Sequence, residues 1–331
     1  MKYFTKIIVA FKSRNLIKNW SLSLFDYLIL KKPSITIKCL DGSVVNVDRE
    51  VYSQILTYFY WGNISDCINN VLIFKLKDYK YYVPIYEINN VSGGTQTVLK
   101  ALEHEWKYKE NYWEKDNVKF KHMHAEIIGT FEDKEYGFID VKNKFVTDIG
   151  AFIGDTSIYF AIKGANAIYA IEPHPGAYEE LVENIRLNNL ESKIIPLNVG
   201  IGYKANHFTV DVKTKQTPQT YFRNSQDKGA KVSVSTLTDV IKNYNINTDV
   251  LKMDCEGCEY DIILNDYNTV SKFEQIAFEY HAYNTNISIN NLMNILNQSH
   301  SCEFVNQDIY RKNDPTWNRD KIGMIYCVKK K

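Results

Sequence analysis

Apolar and polar positions follow two different rhythms along this chain. The first part is mixed. Ile35 to Val47 alternates around Asp41-Gly42, which predicts a hairpin. Val51, Ile55 and Tyr58 mark a helical face that Gly62 stops. Val71–Leu76 and Tyr81–Ile85 flank a polar turn and predict a second hairpin, and Leu99, Leu102 and Trp106 predict a further helix. Segment 106–124, rich in Trp, Tyr, Lys and His, reads as a solvated helix with half-buried aromatics; a lid or substrate surface is the functional alternative. The runs Ile7–Phe11 and Leu22–Phe25 are too short to span a bilayer and predict an N-terminal helix packed on its own domain, with an amphipathic docking helix as the alternative.

From Lys144 onward strands alternate with helices, the pattern of a parallel sheet covered on both faces. The expected strands are the apolar run from Lys144 to Asp148, Ala167–Glu172, Ile194–Val199, Val250–Asp254 and Gln275–His281. Between them come helical faces at Ile158/Ala161/Ile162 and Tyr178/Leu181/Val182/Ile185, a short helix Leu237–Tyr244, a helix beginning at Glu259 and a face at Ile289/Leu292/Met293/Leu296. Phe208–Val210 and Val232–Val234 are expected to pair across a polar loop, 213–229. The chain closes on two strand candidates, Phe304–Tyr310 and Met324–Val328. The expected fold is α/β: an open, doubly wound, Rossmann-like sheet with an antiparallel edge near the C-terminus, preceded by a smaller α+β region. No Pro/Gly-rich linker marks the change, and the division is set at 1–124 and 125–331.

Composition narrows the picture only a little. Hydrophobic residues make up 45% and charged residues 24%, enough to fill a core, and a net charge of +1 gives no reason to expect nucleic acid as a partner. Six scattered cysteines read as reduced residues of a cytoplasmic protein rather than a disulfide framework.

The chemistry concentrates at the strand ends, where a doubly wound sheet binds its ligands. Those ends carry Asp148-Ile149-Gly150, Glu172, Asn198, Asp254 and His281. Gly150 and Gly154 form a strand-to-helix turn with exposed N–H groups. A dinucleotide fold would show Gly-x-Gly-x-x-Gly; the wider spacing and missing third glycine argue against a nicotinamide cofactor and suit S-adenosylmethionine. Asp148, Gly150, Phe152, Gly154, Asp155 and Thr156 are then the cofactor turn. Glu172 is placed to accept from the ribose hydroxyls and Asn198 to lie near the adenine, although a turn-forming Asn is an equal reading. The second turn, Asp254-Cys255-Glu256-Gly257-Cys258-Glu259, holds a Cys-x-x-Cys, which reads as redox-active or as half of a zinc site, though the further ligands zinc needs are missing. Its carboxylates suit polar substrate contacts, with Glu259 also fitting a helix first turn. His281 has the intrinsic pKa of a general base.

Val146–Thr156, Ile171-Glu172-Pro173, Glu183–Asn188, Leu251–Glu259 and Glu279-Tyr280-His281 resemble the FkbM-type methyltransferases, a branch of the class I S-adenosylmethionine-dependent enzymes. The resemblance covers about residues 125–285, and Lys-x-Asp-x-Glu-Gly-x-Glu is its most specific part. It implies methyl transfer to a hydroxyl of a sugar, glycan or related small molecule, with Asp148, Gly150 and Glu172 holding the cofactor. It also implies that Cys255 and Cys258, at positions usually small or apolar in the family, are packing residues. His281 or Asp254 is expected as the base, with Glu256 and Lys252 positioning the acceptor and no metal required; a divalent ion on Asp254 and Glu256 is the minority alternative. RNA or protein acceptors, and a non-catalytic cofactor-binding scaffold, are the competing readings. Residues 1–124 carry no matched motif and are expected to set substrate choice.

Overall fold

The computed structural model describes residues 8–9, 11–91, 93–210, 230–314 and 316–331. The chain divides into two compact units, Met1–Ile128 and Gly129–Lys331. The expected loop 213–229 lies outside the described residues.

In the first unit a helix, Trp20–Leu28, precedes the antiparallel hairpin Ser34–Lys38/Val44–Asp48 and a helix, Arg49–Tyr60. The predicted hairpin Val71–Leu76/Tyr79–Pro84 gains a third strand, Ile64–Ile68, and the helix Gly94–Glu103 follows. Segment 106–124 corrects the sequence expectation. It is a three-stranded antiparallel meander, Lys107–Lys109, Tyr112–Lys115 and Val118–Phe120, rather than a helix. Two turns decide it: Glu110-Asn111 and Asp116-Asn117 all take positive φ, between 47° and 72°, the paired left-handed geometry that matches strand twist. Trp106, Trp113 and Phe120 are fully buried, not half-exposed. The Trp113 indole donates to the buried Glu87 carboxylate at 2.7 Å.

The second unit is built on β1 (Phe145–Ile149), α1 (Asp155–Ile162), β2 (Ala167–Ile171), α2 (Pro175–Leu187), β3 (Ile194–Leu197), α3 (Leu237–Tyr244), β4 (Val250–Met253), α4 (Cys258–Asn265), β5 (Gln275–His281), α5 (Ile289–Leu296), β6 (His300–Val305) and β7 (Ile322–Lys329). The seven strands are ordered β3-β2-β1-β4-β5-β7-β6. The first five are parallel, and β7 runs antiparallel between β5 and β6. This is the expected doubly wound sheet with an antiparallel edge. Continuous apolar runs make it: β4 is buried at every position and β5 at all but Glu279, as strands covered on both faces require. Asn206–Val210 and Ala230–Ser235 pair antiparallel, as expected.

One strand candidate is displaced. The extended backbone ends at Val305; Asn306 turns left-handed (φ 57°) and Gln307–Asn313 is a helix, so the expected strand Phe304–Tyr310 does not form beyond its first two residues. The cysteines are a further correction: the structure pairs all six, as Cys39–Cys67, Cys255–Cys258 and Cys302–Cys327. Sheet register, invisible in the sequence, brings the last pair together, because Cys302 and Cys327 are direct partners across β6 and β7. Disulfides belong to oxidising compartments, so scattered cysteines no longer argue for a reducing one. Among the described residues no helix is long and apolar enough to cross a membrane.

Candidate active site

The sheet order reverses between β1 and β4, whose carboxyl ends lie side by side. The two information-rich turns therefore meet. Gly150 sits in the left-handed region (φ 74°), and a Cβ added there would lie 1.8 Å from the Asp254 carbonyl oxygen. Only glycine allows the two backbones this approach. Gly154 (φ 87°) is left-handed as well, and a Cβ there would meet the end of the Leu181 side chain on α2 at 2.5 Å. Between them Phe152 is also left-handed (φ 46°), a strained state for a bulky residue that marks a specialised turn.

Beneath this turn lies a buried polar anchor. Asp148, with no exposed surface, accepts from Thr156 Oγ1 at 2.7 Å and Ser157 Oγ at 2.6 Å through Oδ2. Its Oδ1 faces Lys252 Nζ at 3.0 Å, and that ammonium also donates to the Gly150 carbonyl at 3.0 Å. Burial pulls the Lys252 pKa down, but the carboxylates of Asp148, Asp254 and Asp155 together outweigh it and hold the value above the ordinary lysine range. Asp155 accepts from Thr130 at 2.6 Å. Asp148, Thr156 and Lys252 thus fix the turn from below, and Lys252 does not line the neighbouring cavity.

Glu172 lies just past β2, buried, with its two carboxylate oxygens accepting from the backbone N–H of Phe152 (2.9 Å) and His174 (2.7 Å). Those bonds orient the carboxylate and leave lone pairs on both oxygens. Burial nevertheless dominates and pushes its pKa up to about 7. A carboxyl that titrates near 7 when folded and near 4.5 when unfolded binds more protons in the native state across that window. Stability is therefore expected to fall as pH rises from about 4.5 to about 7, and Glu172→Gln should flatten that slope in melting temperatures measured across the range. Asn198 is exposed and its amide donates to the carbonyls of Glu172 (2.8 Å) and Pro173 (3.2 Å), which is the turn-forming role.

The second turn is acidic. Glu259 caps its own loop, accepting from the N–H of Cys255 (2.7 Å) and Gly257 (2.9 Å), as its helix first-turn position suggests. Asp254 accepts from the Tyr136 hydroxyl at 3.1 Å. His281 is buried among carboxylates: Nε2 is 3.2 Å from Glu279 and 3.7 Å from Glu256, and Nδ1 is 3.6 Å from Glu259. Burial alone would lower its pKa, but Glu259 and Glu279 outweigh burial and hold it well above the ordinary histidine value. Glu256, left-handed (φ 58°), has its pKa pushed up by burial to about 7, against the lowering effect of His281.

Glu256, Gly257 and Cys258 form one wall of a cavity of about 380 Å³, completed by residues including Tyr203, His207, Asp261 and Asn284. That is the size of a small-ligand site. Sequence reasoning missed Tyr136, whose hydroxyl reaches Asp254, and Tyr310, whose hydroxyl donates to Glu279. It also missed Asn284, which binds the Glu256 carbonyl at 3.1 Å. None of the three sits in a motif, and no local signal could have found them.

A family model described as the methyltransferase FkbM domain matches residues 148–305. The tRNA (guanine(37)-N(1))-methyltransferase Trm5b of Methanocaldococcus jannaschii is 51% identical over 55 residues, covering 17% of this chain and 16% of that protein. A putative protein N5-glutamine methyltransferase of the same organism is 38% identical over 78 residues, covering 23% and 39%. The crystal structure of methyltransferase FkbM from Methylobacillus flagellatus KT aligns at 19% identity and a TM-score of 0.41, covering 60% of this chain and 47% of that one. The chain thus spans well under two thirds of each of these three. The family match runs from the carboxylate that anchors the glycine turn to the last residue of β6, and so takes in both turns. Residues 148–305 thus match the methyltransferase FkbM domain, a little under half of the chain.

Proposed function

We propose that the domain transfers the methyl group of S-adenosylmethionine to a hydroxyl of a sugar, glycan or related small molecule. The observation that carries this reading is the contact of the two turns, with Gly150 against the Asp254 carbonyl. It sets the glycine turn beside an acidic turn that opens on a cavity. The residues fit the cofactor: Gly150 lets the two strand-end turns close on each other, and Glu172 offers an oriented carboxylate to ribose hydroxyls. S-adenosylmethionine supplies an electrophilic methyl on a sulfonium, which needs little further activation. The chain's task is to align an acceptor oxygen and take its proton.

His281, surrounded by carboxylates that retain its proton, is a poor base at neutral pH. Glu256 is the better one. It lines the cavity, and a pKa of about 7 lies near working pH. His281 and Asn284 flank it, and Lys252 and Asp148 support the glycine turn from beneath. The experiment is methyl transfer from labelled S-adenosylmethionine to a panel of hydroxylated sugars and glycans, with transfer RNA and a glutamine-containing peptide in parallel. Transfer to a hydroxylated acceptor is expected, with Glu256→Gln lowering kcat by about 10²–10⁴-fold. Transfer confined to RNA or peptide would overturn the acceptor class.

The local identity to a tRNA enzyme favours an RNA acceptor. Against it, a second relative of similar standing is named for protein glutamine, and a net charge of +1 supplies no phosphate-binding excess.

A further inference from the structure

We infer that Asp254, Glu259 and His281 form a binding site for a first-row divalent cation, whose open coordination positions face water or the acceptor oxygen. One potential ligand atom from each of the three lies within 4.8 Å of the others. That spacing lets a single ion reach all three with small side-chain adjustments. The acidic cluster does not carry the inference alone. His281 is 1% exposed, and its Nδ1 makes no hydrogen bond; the nearest carboxylate oxygen, on Glu259, stands 3.6 Å away, beyond hydrogen-bond range. A buried imidazole nitrogen with no hydrogen bond, facing the Glu259 carboxylate across 3.6 Å, is a ligand atom in position.

Charge points the same way. Glu256 and Glu279 also approach His281, at 3.7 and 3.2 Å, so that carboxylates outnumber the one imidazole. Like charges crowded out of water are costly unless a cation neutralises them. In the absence of a metal ion a proton on His281 takes part of that place. The carboxylate of Glu259 is held by two backbone N–H groups, and Asp254 by the Tyr136 hydroxyl, the kind of outer support that fixes metal ligands. One nitrogen and two oxygen donors suit Mn²⁺, Fe²⁺ or Zn²⁺ better than Ca²⁺. Glu256 belongs both to this cluster and to the cavity wall, so a cation here would border the acceptor's space. As a cation site the inference stands on these residues alone; as the anchor of the acceptor oxygen it rests on the methyltransferase reading.

The test uses the full chain, free of any affinity tag and stripped with chelator. Mn²⁺ is titrated by calorimetry, and the bound ion is examined by electron spin-echo spectroscopy. Saturable binding of one ion is expected, with nitrogen modulation from one imidazole. Asp254→Asn and His281→Asn should each weaken binding by tenfold or more, and His281→Asn should abolish the modulation. Because the wild-type spectrum reports the nitrogen directly, the test survives a variant that fails to fold. Absence of binding by Mn²⁺ and Zn²⁺, or Mn²⁺ binding without nitrogen modulation, overturns the site. S-adenosylhomocysteine is titrated in parallel. Its binding without metal binding sinks this inference alone, and metal binding without it sinks the cofactor reading and leaves the cation site standing.

Discussion

Gly150→Ala is expected to abolish measurable cofactor binding and to destabilise the second unit by about 2 to 5 kcal/mol. Two costs combine. An alanine in left-handed backbone (φ 74°) loses about 1–2 kcal/mol relative to its preferred conformations. The added methyl, at 1.8 Å from the Asp254 carbonyl oxygen and 2.7 Å from its carbon, forces apart two backbone segments that have no flexible end to yield. Overpacking of that kind costs about 1–3 kcal/mol. The displaced segment is the start of the acidic turn, so one substitution on the cofactor side moves the acceptor side. Urea denaturation and calorimetric titration with S-adenosylhomocysteine check it. A variant with wild-type midpoint and affinity would mean that the two turns do not touch.

Lys252→Met is expected to cost about 3 to 5 kcal/mol, the range for breaking a buried ion pair from one side. Asp148 would keep its bonds from Thr156 and Ser157 on Oδ2, but Oδ1, which has no hydrogen bond of its own, would lose the ammonium 3.0 Å away. The Gly150 carbonyl would lose its donor as well. The damage lies in the stranded charge more than in the lost contact. Asp148→Asn introduced into the Lys252→Met background should therefore restore part of the stability, a coupling that a double-mutant cycle measures. If the double variant is as unstable as the sum of the singles, Lys252 is not the counter-charge of Asp148.

The parallel sheet was legible because its strands are apolar runs separated by helical periodicity, and because each of the first five ends in a polar residue or glycine. The roles of those ends were less legible. Lys252 and Asp148 are register partners on neighbouring strands, a relation no single-strand pattern contains. Hence Lys252, which sequence alone set against the acceptor, proves to be buried beneath the glycine turn. His281 was recognised as chemically poised, but its surroundings were not, because Glu256, Glu259 and Glu279 converge on it from two separate segments. The meander at 107–120 escaped because its turns use Glu-Asn and Asp-Asn in left-handed backbone, without the glycine that signals a tight hairpin. At the closing edge Asn306 breaks the strand where composition still allowed it to continue.

The central claim is that the glycine turn and Glu172 hold an adenosyl cofactor. It is tested most directly by calorimetric and thermal-shift titration of the protein with S-adenosylmethionine, S-adenosylhomocysteine and NAD, repeated on Glu172→Ala. A ligand that binds only the native state raises its stability by RT ln(1 + [L]/Kd). A shift is expected with both adenosyl ligands and none with NAD, and the shift should be lost in the variant. No shift with either adenosyl ligand, or an undiminished one in Glu172→Ala, would contradict the claim.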